Sequence, residues 1–451
     1  MKRESIVILV LFITLGVVLN FLPHLNYDYP MHADEWTHMA YAKNLTSSTW
    51  YFEKAHGKDL EIGFHVILAV LNKLGFSYLF IFRFFPALMT ILISLGVFLW
   101  VRKISNEKAA LFSVLFIALL SSSVTILGMV YFLPLSFGLL FIPAGLYLFE
   151  IRSKWFFLLF TALLYIHPPS SLAFFLLISI SILYKKERLI ENFALLVFGG
   201  MLALPLYIDI FIRKGLETTK MLSYELWHMT IFMPGFLGYM VFALVVLGII
   251  FAIKKEKYLL ILYSLAFFIL MLLYWFFRIE IYVYYWRILM YFFIISSAFF
   301  GIACQEIIDF AQVFGNKKIR VFIVISLLLV ILIPAVPHKI KTGDKLYKII
   351  DNNDYRAFLW IRGNTDENSV AILNNFKGYA FTPIAERRVY TKLMPGISKK
   401  YDAMNKEVDI FLNESCMNLS FLKANNISLV YGNCSNEKLK EIYPELFVFD
   451  W

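Results

Sequence analysis

Long apolar runs fill most of the chain, and short clusters of Lys and Arg punctuate them. A hydrocarbon core about 30 Å thick needs about 20 helical residues to cross it. On that ruler the pattern predicts eleven membrane helices, over residues 5–23, 79–101, 109–127, 130–149, 155–167, 170–184, 192–212, 233–253, 258–277, 287–305 and 319–337. The stretch 62–76, IGFHVILAVLNKLGF, carries His65, Asn72 and Lys73, which favours a helix lying at the interface over a twelfth span. Pro168 and Pro169 stop the helix after His167, so 155–184 reads as two short spans or a shallow hairpin. Beyond residue 337 hydropathy drops. An amphipathic DYRAFLWIR precedes the short apolar runs SVAIL, RRVYT, ISLVY and LFVF, separated by polar helical stretches. The expected architecture is therefore an α-helical polytopic membrane domain over 1–337, with a first outer loop at 24–78, and a small α/β domain over 338–451.

Composition agrees, since 60% of the 451 residues are hydrophobic and 16% charged, against roughly 45–50% and about 25% in soluble domains. That excludes an ordinary soluble enzyme. Of the net charge of +10, little lies beyond residue 338, where 16 Lys/Arg face 14 Asp/Glu. The excess belongs to the membrane part and reports orientation, with no call for nucleic acid. Threading the spans alternately puts Lys2, Arg3, Arg102, Lys103, Lys108, Arg152, Lys154, Lys185, Lys186, Arg188, Lys254, Lys255, Lys257, Lys317, Lys318 and Arg320 on one side. By the positive-inside rule that side is the cytoplasm. The N-terminus is then cytoplasmic, the first span a retained anchor in a multi-pass cell-membrane protein, and residues 338–451 extracytoplasmic. Five N-x-S/T sequons (Asn44, Asn413, Asn418, Asn426, Asn433) fall on the outer side. Cys416 and Cys434 lie there too, 18 positions apart, and are expected to form a disulfide.

The polar residues of the membrane domain also divide by side. His32, Asp34, Glu35, His38, Glu61, His65, Arg83, His167, Asp209, Glu225, His228, Arg278, Glu280 and Arg287 gather on the outer surface, which implies an outward-facing site. The first outer loop reads PMHADEWTHMAYAKNL over 30–45. Its adjacent carboxylates, Asp34 and Glu35, can supply one general base and one group that orients an acceptor, a metal or its neighbour. His38 would lie one turn beyond Asp34 on the same helix face. The structural alternative has Asp34 capping the helix and Glu35 as a solvated first-turn acid. Arg83 and Arg287, in FRFFP and YYWRILMYF, need a carboxylate, a carbonyl or a lipid phosphate, or else snorkel to headgroups. His167 either lines the cleft or serves the kink, and Tyr282, Tyr284, Tyr285 and Trp286 either stack on a sugar or form an interfacial belt. Phosphate-loop, dinucleotide, H-E-x-x-H and C-x-x-C motifs are absent.

ADEWTHMAYAKNL at 33–45, GFHVILAVLNKLG at 63–75, FRFFPALMTILISLGVF at 82–98 and IHPPSSLAFFLL at 166–177 resemble the GT-C superfamily of membrane glycosyltransferases. The likeness covers roughly the first 300 residues and is nearest to the dolichyl-phosphate-mannose-dependent and protein O-mannosyltransferase type. It implies a hexosyltransferase that takes its sugar from a polyprenyl-phosphate donor, with Asp34 as base and Glu35 beside it. The acceptor, whether protein, lipid or glycan, is left open. Arg83 and Arg287 become candidates for the donor phosphate, and His38 and His167 for further substrate contacts. The chemistry requires no cofactor, although paired carboxylates could take a divalent metal. Oligosaccharyltransferases share the architecture but carry W-W-D-Y-G in the outer domain, and no such motif occurs between Thr342 and Trp451. The rival reading is a transporter or flippase for a lipid-linked or anionic substrate. Against it stand the lack of repeat symmetry and the scarcity of polar residues at midplane.

Overall fold

The computed structural model describes residues 2–45, 58–124, 126–214, 233–277, 283–314, 317–343, 348–392 and 399–449. In the first part, helices α1 (Arg3–Phe21), α2 (Ala33–Asn44), α3 (Ile62–Lys73), α4 (Tyr78–Ile104), α5 (Glu107–Leu119), α6 (Pro134–Glu150) and α7 (Phe156–Ile166) are followed by α8 (Pro168–Lys185), α9 (Leu189–Lys214), α10 (Met233–Leu237), α11 (Tyr239–Lys254), α12 (Tyr258–Phe277), α13 (Tyr285–Ala311) and α14 (Lys317–Gly343). Each of the eleven segments expected to be apolar helix contains one. Among the described residues seven helices, α1, α4, α8, α9, α12, α13 and α14, are long and apolar enough to cross a membrane, while α3, α6, α7 and α11 are shorter apolar helices. With 12 residues, α3 extends about 18 Å at 1.5 Å per residue, too little for the hydrocarbon core.

Local sequence explains several ends. The Ser77 hydroxyl accepts the Phe80 amide at 3.2 Å to start α4, and the Asn106 carbonyl oxygen accepts the Ala109 amide at 3.0 Å to start α5. His167 adopts an extended φ of −156° that ends α7, and Pro168 then opens α8. Two segments differ from the hydropathy reading. The run expected to stay helical to residue 127 stops at Leu119, and residues 120–124 and 126–133 are irregular and largely buried before α6. Ser121, Ser122 and Ser123 offer the backbone alternatives to the helix ladder, and the Ser123 hydroxyl does accept the Ile126 amide at 2.9 Å. The run 233–253 is likewise broken between α10 and α11 at Gly238, whose φ of +85° suits glycine.

At the centre of the bundle stands α13, buried along nearly its whole length. Small residues let its neighbours close in. A Cβ at Gly301 would strike the Ala109 carbonyl of α5, and one at Gly248 of α11 would strike the Phe299 carbonyl. Outward-facing apolar side chains such as Val10 and Leu11 on α1 or Phe322 and Ile333 on α14 are exposed, as a lipid-facing surface requires. The last long helix continues through Pro337 to Gly343.

Beyond it, α15 (Asn352–Asn364), α16 (Lys377–Ala385), α17 (Lys399–Asn413) and α18 (Leu419–Ala424) surround a five-stranded sheet. Its strands are β1 (Val370–Leu373), β2 (Arg388–Val389), β3 (Leu429–Tyr431), β4 (Lys440–Tyr443) and β5 (Leu446–Val448), in the order β2-β1-β3-β5-β4. The first three pair in parallel and β5 turns antiparallel to β3 and β4. The four apolar runs of the sequence supply β1, β2, β3 and β5. The edge strand β4, Lys-Glu-Ile-Tyr, is too polar to announce itself. Cys416 and Cys434 are joined in a disulfide, with Cα atoms 5.3 Å apart.

This α/β domain sits on the loop between α1 and α4. Tyr27 donates to the Ile350 carbonyl at 2.9 Å, Tyr29 to Asn352 at 2.6 Å, and the Lys43 ammonium to the Pro383 carbonyl at 2.7 Å. The basic ends of α4, α6, α8 and α9 gather elsewhere, around a cavity lined by Lys103, Arg152, Lys154, Lys185 and Arg188.

Candidate active site

Helix α2 starts from an unusual cap. Its N-cap is His32, whose Nδ1 accepts the Asp34 amide at 3.0 Å. The Asp34 carboxylate is therefore released from capping and keeps 36% of its side-chain surface, with its Oδ2 3.8 Å from His32 Nδ1. Glu35 does the opposite. It is fully buried, its Oε2 accepts the Met31 and His32 amides at 2.9 and 3.1 Å, and its Oε1 accepts the Phe132 amide at 3.0 Å. Burial pushes this carboxyl up to about 8 against the pull of the three amides. The two acids thus point to different tasks. Asp34 keeps a partly exposed carboxylate, and Glu35 closes a capping box and ties α2 to the irregular stretch before α6. That stretch is tied down twice more, at the Val124 carbonyl by His32 Nε2 at 3.2 Å and at the Val130 carbonyl by His24 Nε2 at 2.9 Å.

Removing Glu35 should cost stability before chemistry. Glu35→Ala leaves three buried amides without an acceptor, at about 1–3 kcal/mol each less whatever water restores, so the thermal midpoint in detergent should fall sharply. Since the folded pKa is raised, the stability tied to the protonated carboxyl is present below the ordinary carboxylate value and drains as pH rises through about 8. Glu35→Ala should lack that slope.

Behind Asp34, His38 is buried on the next turn of α2. Its Nδ1 lies 2.9 Å from His65 Nε2 on α3, and its Nε2 lies 3.8 Å from Glu61. The other oxygen of Glu61 lies 3.8 Å from His167 Nε2, and His167 Nδ1 meets the Ser170 hydroxyl at 2.5 Å. The sequence reading placed Glu61 and His65 on the outer surface without joining them to His38 and His167. The signal was there in outline, because His65 falls on the buried face of a short amphipathic helix and Glu61 immediately precedes it.

The two arginines differ. Arg83 near the N-terminal end of α4 is ion-paired with Asp28 and lies 5.4 Å from the Phe84 ring centre. Arg287, in the first turn of α13, has its guanidinium 5.1 Å from the centre of the Tyr284 ring. Its Nε, like that of Arg83, is buried without a hydrogen-bond partner, and the difference is that among the described residues Arg287 has no acidic partner. Tyr284, the N-cap of α13, gives no side-chain cap, and its carbonyl accepts the Arg287 amide at 2.9 Å. Tyr284 and Trp286 stack at 4.9 Å and Tyr285 stacks on Tyr274 at 4.7 Å. Glu225, His228, Arg278, Glu280 and Tyr282 lie outside the described residues, as does the Asp209 side chain.

Among the described residues no group of three His, Cys, Asp or Glu is arranged to hold a metal ion. Because Glu35 turns both oxygens to backbone amides, the Asp34–Glu35 pair does not present two carboxylates to one ion.

The bundle, its irregular stretch before α6, the helical loop between α1 and α4 and the α/β domain seated on that loop together reproduce the fold of solved membrane-enzyme structures. The solved structures it resembles include the Archaeoglobus fulgidus oligosaccharyltransferase tethered to an acceptor peptide with an NVT sequon, 12% identical over 95% of this chain and 69% of that one, TM-score 0.65. AglB from the same organism, in complex with an inhibitory peptide and dolichol-phosphate, is 14% identical over 95% and 69%, TM-score 0.54. ArnT from Cupriavidus metallidurans bound to undecaprenyl phosphate is 12% identical over 95% and 96%, TM-score 0.52. At such identities the likeness is one of fold. The archaeal oligosaccharyltransferase has also been solved with zinc and sulfate. No family model matches the sequence, and no curated protein matches it.

Proposed function

We propose that this protein transfers a sugar, of the hexose class, from a polyprenyl-phosphate donor to an acceptor at the extracytoplasmic face of the membrane. The observation that carries the reading is the division of labour in α2, where Asp34 keeps an accessible carboxylate while Glu35 is spent on three backbone amides. Support comes from the fold shared with AglB bound to dolichol-phosphate and ArnT bound to undecaprenyl phosphate. In the proposed step Asp34 removes the proton from the acceptor hydroxyl as its oxygen attacks the anomeric carbon from the face opposite the phosphate. The carbon–oxygen bond to phosphate breaks, and the configuration inverts. The leaving polyprenyl phosphate keeps the electron pair, and Arg287 at the N-terminus of α13 stabilises its charge. Arg83, already held by Asp28, is the secondary phosphate candidate, and His38 and His167 act on substrate from behind the surface. No step is routed through a metal.

The absence of W-W-D-Y-G favours a single sugar over a whole oligosaccharide placed on asparagine. The basic helix ends around Lys103, Arg152, Lys154 and Lys185 support a cytoplasmic N-terminus and an outer C-terminal domain. Purified protein in vesicles, given a polyprenyl-phosphate sugar and a panel of protein, lipid and glycan acceptors, should release polyprenyl phosphate in step with a new glycosidic bond. Movement of the intact donor across the bilayer without release would make it a flippase instead.

A further inference from the structure

We propose that the α/β domain is N-glycosylated at Asn413, Asn418, Asn426 and Asn433, and that Asn44, the fifth sequon asparagine, stays unmodified. The glycan comes from a lipid-phosphate-linked oligosaccharide and is placed by a separate oligosaccharyltransferase of the host cell, so the sites are independent of the role given to Asp34.

The end of the chain is denser in acceptor sequons than its composition explains. Beyond residue 400 stand four serines, Ser415, Ser420, Ser428 and Ser435, and no threonine. Every one follows an asparagine at a spacing of two, with Glu414, Leu419, Ile427 or Cys434 between them and never proline. Asparagine fills seven of the 51 positions from 401 on, so chance would pair about one serine in seven this way.

The fold then separates these four from Asn44. Along the sheet, Leu373, Leu429 and Leu446 belong to the core that runs on into the membrane bundle, whereas Ile372, Val430 and Phe447 pack with Phe411 of α17 and Leu422 of α18 in a core of their own. The sequons thus sit on the face of the sheet turned away from the bundle, and the Cys416–Cys434 disulfide in their midst supports a compartment where such bonds persist. All four asparagines are exposed. Asn418 uses its Oδ1 to accept the Phe421 amide at 3.2 Å and the Ser420 hydroxyl at 2.7 Å, and among the described residues the Nδ2 of each of the four donates to nothing. A glycan on these nitrogens displaces no contact of the fold. In Asn44, by contrast, both Nδ2 and Oδ1 are buried in the last turn of α2, next to the Lys43 that holds α16. A glycan has no room there unless the helix unpacks.

Two large apolar side chains adjoin the sites. Ile410, one helical turn before Asn413, is 46% exposed, and Met417, next to Asn418, is 59% exposed. Bulky hydrophilic chains would cover both. In the step itself the Asn Nδ2 bonds to the anomeric carbon, and the carbon–oxygen bond to the lipid's phosphate breaks. The phosphate oxygen keeps the electron pair, and the amide gives one proton to a base of the separate transferase.

Mass spectrometry of the full-length protein from its native membranes tests this. Wild type should exceed the polypeptide mass by four glycans. Asn413→Gln and Asn433→Gln should each lose one. Ser420→Ala and Ser428→Ala should remove those on Asn418 and Asn426, where Gln would forfeit the cap contact or strain a φ of +55°. Asn44→Gln should keep all four. A wild type at the polypeptide mass overturns the proposal, and so does a glycan on Asn44. A glycan lost in Asn413→Gln but kept in Ser415→Ala also overturns it, because the modification would then ignore the sequon. Four glycans on a wild type that turns over no polyprenyl-phosphate sugar keep this proposal and remove the transferase reading, and an unglycosylated protein that transfers sugar does the reverse.

Discussion

Asp34→Asn should abolish sugar transfer while leaving the protein folded and able to bind donor. The substitution keeps the side chain's shape and its capacity to hydrogen-bond but removes the proton acceptor, and general-base catalysis is worth about 10²–10⁴-fold, or roughly 3–5 kcal/mol at 1.36 kcal/mol per decade. The cap of α2 is kept, because its contact with His32 is made by the Asp34 amide. The thermal midpoint should therefore stay near wild type, which separates this variant from Glu35→Ala. Donor affinity should also stay within a few-fold, since the phosphate contacts are assigned to α13. Glu35→Gln should cost less turnover than Asp34→Asn. The measurement is polyprenyl phosphate released per enzyme under saturating donor and acceptor. Retention of more than about a tenth of wild-type turnover by Asp34→Asn would mean that this carboxylate is not a base of ordinary strength.

How much of this could be read beforehand depended on the kind of force involved. Burial in lipid is written residue by residue, so the apolar segments from Arg3–Phe21 to Lys317–Gly343 were legible as helices, although α13 and α14 each run six residues past their expected ends. The exception, residues 120–133, is as apolar as its neighbours. It is non-helical because its backbone groups find partners in His24, His32 and Glu35, up to about a hundred positions away in sequence, which periodicity cannot express. The same long-range bonding divides the acidic pair. Spacing says only that Asp34 and Glu35 adjoin, whereas the Phe132 amide and the His32 cap settle which of them is buried. The contacts that join His65, His38, Glu61, His167 and Ser170 were the least legible, since they draw on several elements. In the C-terminal α/β domain, short apolar runs mark four strands, while Lys440–Tyr443 is a strand because β5 pairs with it.

Arg287 is the second large effect. A half-buried guanidinium costs free energy unless something answers its charge. The described surroundings offer the Tyr284 ring, a cation–π contact worth about 0.5–1 kcal/mol when exposed and about 2 when desolvated. That leaves its Nε without a partner at the uncapped N-terminus of α13, where the helix dipole also favours an anion. Arg83 is the internal control, because Asp28 already neutralises it. Hydrogen bonds to charged groups contribute about 1.5–3 kcal/mol, so Arg287→Ala should weaken donor affinity by about 10- to 150-fold. Arg287→Lys retains charge but loses the planar fork that matches a phosphate, and should fall between. Arg83→Ala should lower thermal stability more than donor affinity. Binding of a polyprenyl-phosphate sugar to the acceptor-free protein measures all three. Because polyprenyl phosphate is the product, it should show the same ranking in competition. Equal affinity in wild type, Arg287→Lys and Arg287→Ala would reassign this arginine to the lipid headgroups, and the leaving phosphate would then need another cation.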